Sequence, residues 1–234
     1  NGECRTQPPL FCIHAVMGTV FDYQPLARRL QGVCTVYGLS CRMLTDPQHR
    51  DSSLETMADD YVETIRRIQP VGPYRLLGCW QRDFANFASV ILPSVSLEAR
   101  DGKEESKEEP SEEEVALKLS KLMASFDAYG REGYATLGSE ELARIFCVAR
   151  HLKYLSLQLD ALPALDCDVD CWWESKRGWE ERQALANQLN RIPRTSIETP
   201  HDHFSIVGDE DLISQVEELL EASAHRYIGE QVPA

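Results

Sequence analysis

A cysteine stands where a buried strand runs out. The apolar stretch Tyr74-Arg75-Leu76-Leu77-Gly78 closes on a small residue, and Cys79 follows at once. A sharp turn from such a strand into a helix, read here over Arg82–Leu92, lifts the intervening side chain clear of the sheet. Backbone N–H groups at the helix start then lower a thiol's pKa and hold a developing oxyanion, which is nucleophile chemistry. The common form of this turn, G-x-S-x-G, puts Ser at position 80 and Gly at position 82; this chain has Trp80 and Arg82 instead. Gln81 and Arg82 lack the backbone freedom that a strained, tightly packed turn demands of its glycines. The other reading of Cys79 is a buried structural thiol, since most cysteines pack as small apolar groups.

A base is available late in the chain. Thr199-Pro200-His201-Asp202-His203-Phe204-Ser205 lies between a late strand and the last helix, at the carboxyl edge of a parallel sheet, where such sheets bind ligands. Histidine suits general-base work because its pKa lies near neutral pH. His203, followed by an apolar anchor, is the candidate; His201 is the bystander, and a plain surface-loop histidine is the alternative. An acid must orient the imidazole. Asp101 ends Val95–Arg100, readable as a short strand, and Glu174 ends the strand Asp168–Trp173; a strand-end acid is otherwise simply solvated.

These groups need a scaffold. Leu10–His14, Val33–Leu39 and Tyr74–Gly78 read as buried strands. Helices read over Phe21–Leu30 and from Ser53 to Ile68, with Ser52 or Ser53 as cap. Strands that are continuous apolar runs, alternating with helices, imply an α/β fold with a mostly parallel central sheet covered on both faces. Lys103–Glu114 then carries seven glutamates, a solvated tether or exposed helix start. Helical patterns at Val115–Phe126 and Glu140–Leu159 follow without intervening strands, so residues 103–160 read as an inserted helical lid within one domain spanning 1–234. Strands return at Asp168–Trp173 and Thr195–Glu198, and Asp211–Ala222 is an amphipathic helix. Trp172, Trp173 and Trp179 are expected to pack between sheet and lid rather than to stack on substrate.

Composition narrows the partners. A formal charge of −14 and pI near 4.9 disfavour nucleic acid and anionic membrane. No apolar run approaches the ~18 residues of a membrane span, and the polar start, Asn1–Pro9, is no signal peptide. The missing initiator Met suggests an excised domain. Eight cysteines without a C-x-x-C pair imply reduced thiols and a cytoplasmic location. Cys167 and Cys171, four apart on a strand, would not converge on zinc, so no metal is expected.

Longer stretches resemble a known family. Pro9-Leu10-Phe11-Cys12-Ile13-His14 with Gly18, Tyr23-Gln24-Pro25-Leu26-Ala27, Val36-Tyr37-Gly38-Leu39, Ala58–Ile65, Gln69–Gly78 and Asp202-His203-Phe204-Ser205 together resemble a releasing thioesterase domain of a nonribosomal peptide synthetase, an α/β hydrolase. The likeness runs nearly end to end and is weakest over Gln81–Glu114. It implies a Ser–His–Asp triad, a helical lid, and a peptidyl substrate delivered as a phosphopantetheine thioester by an upstream carrier domain, with no directly bound cofactor. His203 matches the family histidine; Asp101 falls where this family carries its acid, Glu174 where other α/β hydrolases carry theirs. The Val16 N–H matches one oxyanion donor and Trp80, after the nucleophile, would supply the other. Residue for residue the nucleophile aligns with Trp80, and Cys79 fits with a one-residue shift. The stretch from Cys79 to Asp101 is also shorter than the family's spacing.

The leading expectation is release of a carrier-bound peptide through an acyl-Cys79 intermediate, by hydrolysis or by cyclisation. A thioester intermediate keeps the acyl group activated, which suits closure of a strained lactam or lactone. The alternatives are a degenerate, non-catalytic domain that binds a carrier, and a stand-alone editing thioesterase.

Overall fold

The computed structural model describes residues 7–78, 134, 136–157, 167–174, 183, 187, 193–200 and 206–230. Strands β1 (Leu10–Ile13), β2 (Val36–Leu39) and β3 (Arg75–Gly78) form a parallel sheet in the order β2-β1-β3. β1 is apolar throughout, Leu-Phe-Cys-Ile, as a central strand buried on both faces must be. Its alternation sends Leu10 and Cys12 into one core with Leu26 of α1 (Gln24–Arg29) and Leu30 at that helix's C-cap, while Phe11 packs on the opposite face with Leu39 and Ile65. Burying each such large side chain stabilises the fold by about 1.5–3 kcal/mol.

Ile65 belongs to α2 (Leu54–Ile68), whose start is a capping box: Thr56 N donates to Ser53 Oγ, and Ser53 N donates to Thr56 Oγ1, both at 3.2 Å. Of the two serines offered by the sequence, Ser53 is therefore the cap. Arg66 and Arg67 in the last turn complement the helix dipole. β2 begins at Val36 rather than at Val33. The N–H groups of Val33 and Cys34 both donate to Leu30 O, so they close the end of α1 instead of extending the strand.

Helix α3 (Ser139–Leu157) packs Val148 and Leu152 against Cys41 and Met43, just past β2. Ahead of it, Tyr134 is buried, edge-on to Phe21, with its hydroxyl 2.6 Å from Thr19 Oγ1. Strands β4 (Asp170–Glu174) and β5 (Thr195–Thr199) pair in parallel. α4 (Glu210–Glu230) runs beyond the expected Ala222. Asp209 caps it, Leu212 N donating to Asp209 Oδ1 at 2.6 Å. Its Ile213, Val216 and Leu220 cover the Leu10/Cys12 face. Helices thus cover both faces of the sheet.

Trp172 and Trp173 both have hydrogen-bond partners among the described residues. Trp172 Nε1 donates to Gln215 of α4 at 2.6 Å and Trp173 Nε1 to Ser196 of β5 at 2.7 Å. These rings join β4 to α4 and β5, because their positions on β4 alternate between its two sides.

Candidate functional site

Parallel pairing sets the stage. Ile13 is in register with both Leu39 and Gly78, so the loop after β1, the turn after β2 and the chain leaving Gly78 all start from one edge of the sheet. That is the carboxyl edge, where parallel sheets assemble ligand sites. In the second strand pair Glu174 is in register with Thr199, so its backbone ends beside the segment that leads on to His203. Thr199 is buried, and its Oγ1 has no hydrogen-bond partner among the described residues.

The loop 14–18 is held at His14, Ala15 and Gly18. His14 N donates to Leu39 O at 3.1 Å and Tyr23 Oη to Ile13 O at 2.8 Å. Ala15 O accepts twice, from Gly18 N at 2.9 Å and from His14 Nδ1 at 2.7 Å. Gly18 O in turn accepts from Cys41 N at 2.8 Å. Gly18 has φ +75°, and a Cβ there would lie 2.6 Å from Val148 Cγ1 and 2.9 Å from Cys41 Cβ, so only glycine fits.

His14 completes this arrangement. A carbonyl can only accept, so Nδ1 carries the ring proton, and Nε2 accepts from Tyr61 Oη at 2.5 Å. Burial pushes the His14 pKa below its ordinary value, against the opposing pull of the Ala15 bond and Asp51, and favours the neutral ring. Tyr61, which burial pushes up strongly, keeps its proton to donate.

Cys79, Trp80, Asp101 and His203 lie outside the described residues, as do the helices read over 82–92 and 115–126, the strand over 95–100, and Trp179. Val16 lies in the braced loop, half-buried, and its N–H makes no hydrogen bond among the described residues. Sequence reasoning did not bring His14 and Tyr61 together. Their types and the i, i+4 spacing of Tyr61 and Ile65 were visible, but a pairing 47 positions apart was not.

Three of the described thiols are poor candidates for the nucleophile. Six are free. Burial raises Cys12 to about 12 and Cys171 to about 11, and it raises Cys41 as well, so all three stay protonated. Nearby, His49, Asp51 and Asp60 bring ligand-type atoms within 4.8 Å of one another. His49 Nε2 lies 3.1 Å from Asp51 Oδ1, Arg42 NH1 lies 3.6 Å from Asp60 Oδ2, and His151 Nε2 donates to Asp51 O at 2.9 Å. The Arg42 guanidinium already supplies the compensating charge, and the group ties the loop after β2 to α3.

Known proteins share both sequence and architecture with this chain. Residues 8–79 match the thioesterase domain family. Over 73 residues, 31% of this chain, it is 45% identical to malpinin synthetase of Mortierella alpina. A similar stretch of 72 residues is 39% identical to the dimodular nonribosomal peptide synthase of Bacillus subtilis (strain 168). Among solved structures, the NocB thioesterase domain in covalent complex with a fluorophosphonate nocardicin G analog covers 94% of this chain and 95% of its own, at TM-score 0.55 and 22% identity. The fold is that of thioesterase domains, the α/β-hydrolase fold.

The Vlm2 thioesterase domain bound with a dodecadepsipeptide agrees, covering 93% of this chain and 94% of its own at TM-score 0.60 and 18% identity. The resemblance to thioesterase domains of nonribosomal peptide synthetases seen in the sequence is thus borne out. The matched synthetases are far longer, the shared stretch spanning 1% of the Mortierella protein and 3% of the Bacillus one. A four-domain nonribosomal peptide synthetase also matches 97% of this chain over 20% of its own length, at TM-score 0.57 and 16% identity. No described helix is long and apolar enough to cross a membrane.

Proposed function

We propose that the chain releases a peptidyl group from the phosphopantetheine thioester of a carrier domain through an acyl-Cys79 intermediate. One observation carries this reading: the Ile13–Gly78 register starts the chain leading to Cys79 and the loop bearing the Val16 N–H from the same sheet edge. In the first step the Cys79 thiolate, its proton taken by His203, attacks the thioester carbonyl. The Val16 and Trp80 N–H groups hold the oxyanion. Collapse expels the phosphopantetheine thiolate, which takes the proton back from His203, and leaves an S-acyl cysteine. Water or an internal nucleophile of the peptide, deprotonated by His203, then attacks the acyl group and restores the Cys79 thiol. Hydrolysis yields the linear acid; internal attack yields a ring. The acyl-cysteine keeps thioester activation, and this favours closure of a strained lactam or lactone. No directly bound cofactor is needed.

Asp101 is the acid assigned to orient His203, with Glu174 as the alternative. The Glu174–Thr199 register supports Glu174, since it brings that strand end next to the one leading to His203. Residues 103–160 are proposed to form the lid over this edge, α3 providing its anchorage on the loop after β2. The test is turnover of a peptidyl thioester by the parent chain and by Cys79→Ala, His203→Ala, Asp101→Asn and Glu174→Gln. Loss with the first two, and with one of the two acids, supports the reading; unchanged turnover in Cys79→Ala removes the nucleophile. Product analysis that finds only linear acid from a native carrier-bound peptide removes ring closure.

A second reading is a domain that binds a carrier without turnover. It is favoured by the family match ending at residue 79, where Trp80 and Arg82 replace the expected turn. Carrier binding by a parent chain that hydrolyses no thioester is its signature.

A further inference from the structure

We propose that His14 is a positioning residue for oxyanion stabilisation, acting through the Ala15–Val16 peptide; the inference rests on the acyl-transfer reading above. The C=O of Ala15 and the N–H of Val16 belong to one planar, trans peptide unit, so the two groups point in opposite directions. Whatever fixes Ala15 O therefore fixes the aim of the Val16 N–H. Two donors fix it: Gly18 N at 2.9 Å and His14 Nδ1 at 2.7 Å. The Val16 N–H has no partner among the described residues and is left free to point at a ligand.

The histidine is itself held from behind. Tyr61 Oη, on α2, donates to Nε2 and so keeps the proton on Nδ1, the nitrogen that faces Ala15 O. The two rings also meet edge-to-face at 5.6 Å. His14 is 8% exposed, and burial lowers its pKa and keeps the ring neutral. A buried neutral imidazole with both nitrogens engaged and no free lone pair is unsuited to general-base work. It is suited to orienting a dipole. Donors preset toward developing charge act mainly in the transition state, so the effect belongs in kcat rather than KM.

The two amide substitutions separate the functions of the two ring nitrogens. Asn at position 14 keeps a donor near the Nδ1 position and loses the link to Tyr61. Gln reaches the Nε2 position, keeps Tyr61, and loses Ala15. The assay is steady-state turnover of a short peptidyl N-acetylcysteamine thioester by the parent, His14→Asn and His14→Gln chains, with the Val16 amide followed by 1H–15N NMR. Removing an oxyanion donor outright costs about 10²–10³ in kcat, and a donor that is retained but mis-aimed should cost about 10–100-fold. The expected result is a loss of that size in His14→Gln with KM within about twofold and a displaced Val16 cross-peak. His14→Asn should stay within about threefold of the parent in kcat, with the cross-peak near its original place. Equal kcat in the two variants, or His14→Gln within about twofold of the parent, overturns the inference while leaving the acyl-transfer reading intact. A parent chain with no turnover overturns that reading, and this inference with it.

Discussion

Gly18→Ala tests whether the loop beside the proposed site is as tightly built as its hydrogen bonds imply. Two effects add. The backbone at φ +75° disfavours any L side chain by about 1–2 kcal/mol. The new methyl would sit 2.6 Å from Val148 Cγ1 and 2.9 Å from Cys41 Cβ, and overpacking of that kind costs about 1–3 kcal/mol. The sum is about 2–5 kcal/mol, or a fall in Tm of roughly 4–20 °C for a chain of this length. Gly32 isolates the first effect: it has φ +90° with nothing within 4 Å of a built Cβ, so Gly32→Ala should cost only the backbone part. Val148→Ala isolates the second. In a double-mutant cycle by urea unfolding, it should relieve Gly18→Ala by about 1–2 kcal/mol, because the nearest clashing atom is gone. A Gly18→Ala variant no worse than Gly32→Ala, or strict additivity with Val148→Ala, would refute the packing argument.

Other outcomes follow from the same physics. Burial raises Asp22 from 3.8 to about 6, so the folded state holds this proton more tightly and stability falls as pH rises through that window. Asp22→Asn should therefore raise Tm at pH 8 and leave it unchanged near pH 4, with a gain of about 1–2 kcal/mol after allowing for partial solvent screening. Arg75 donates to Gln7 Oε1, Pro8 O, Leu220 O and Ser223 Oγ, tying β3 to α4. Arg75→Met should cost about 2–4 kcal/mol in urea unfolding, and Lys should rescue it poorly because it lacks the fork of donors. In the native protein an aromatic disulfide reagent should reach the exposed Cys147 and Cys167 within minutes, and Cys12 and Cys41 only on unfolding.

The scaffold was legible where one short-range rule decided the outcome. Leu10–Ile13 is apolar at every position and becomes the central strand, and Ser53 three residues before Thr56 marks the start of α2. Boundaries failed where a neighbour's hydrogen bonds intervened: Val33 and Cys34 have strand-forming side chains, yet their N–H groups go to Leu30 O. α4 outran its expected end, although Arg75 of β3 reaches its later turns, at Leu220 and Ser223, a contact no local pattern encodes. The family resemblance offered Val16 as an oxyanion donor, but nothing local pointed to the histidine two residues earlier, which is proposed to aim it. His14 is an ordinary strand-end residue until Tyr61 arrives from another helix.

Acyl transfer to Cys79 is the central claim, and intact-protein mass spectrometry tests it most directly. Brief incubation with a peptidyl thioester, quenched in acid, should add one acyl mass that maps to the segment Leu76–Arg82 and is absent from Cys79→Ala. An adduct on any other residue, or one that survives the loss of the Cys79 thiol, would contradict the account.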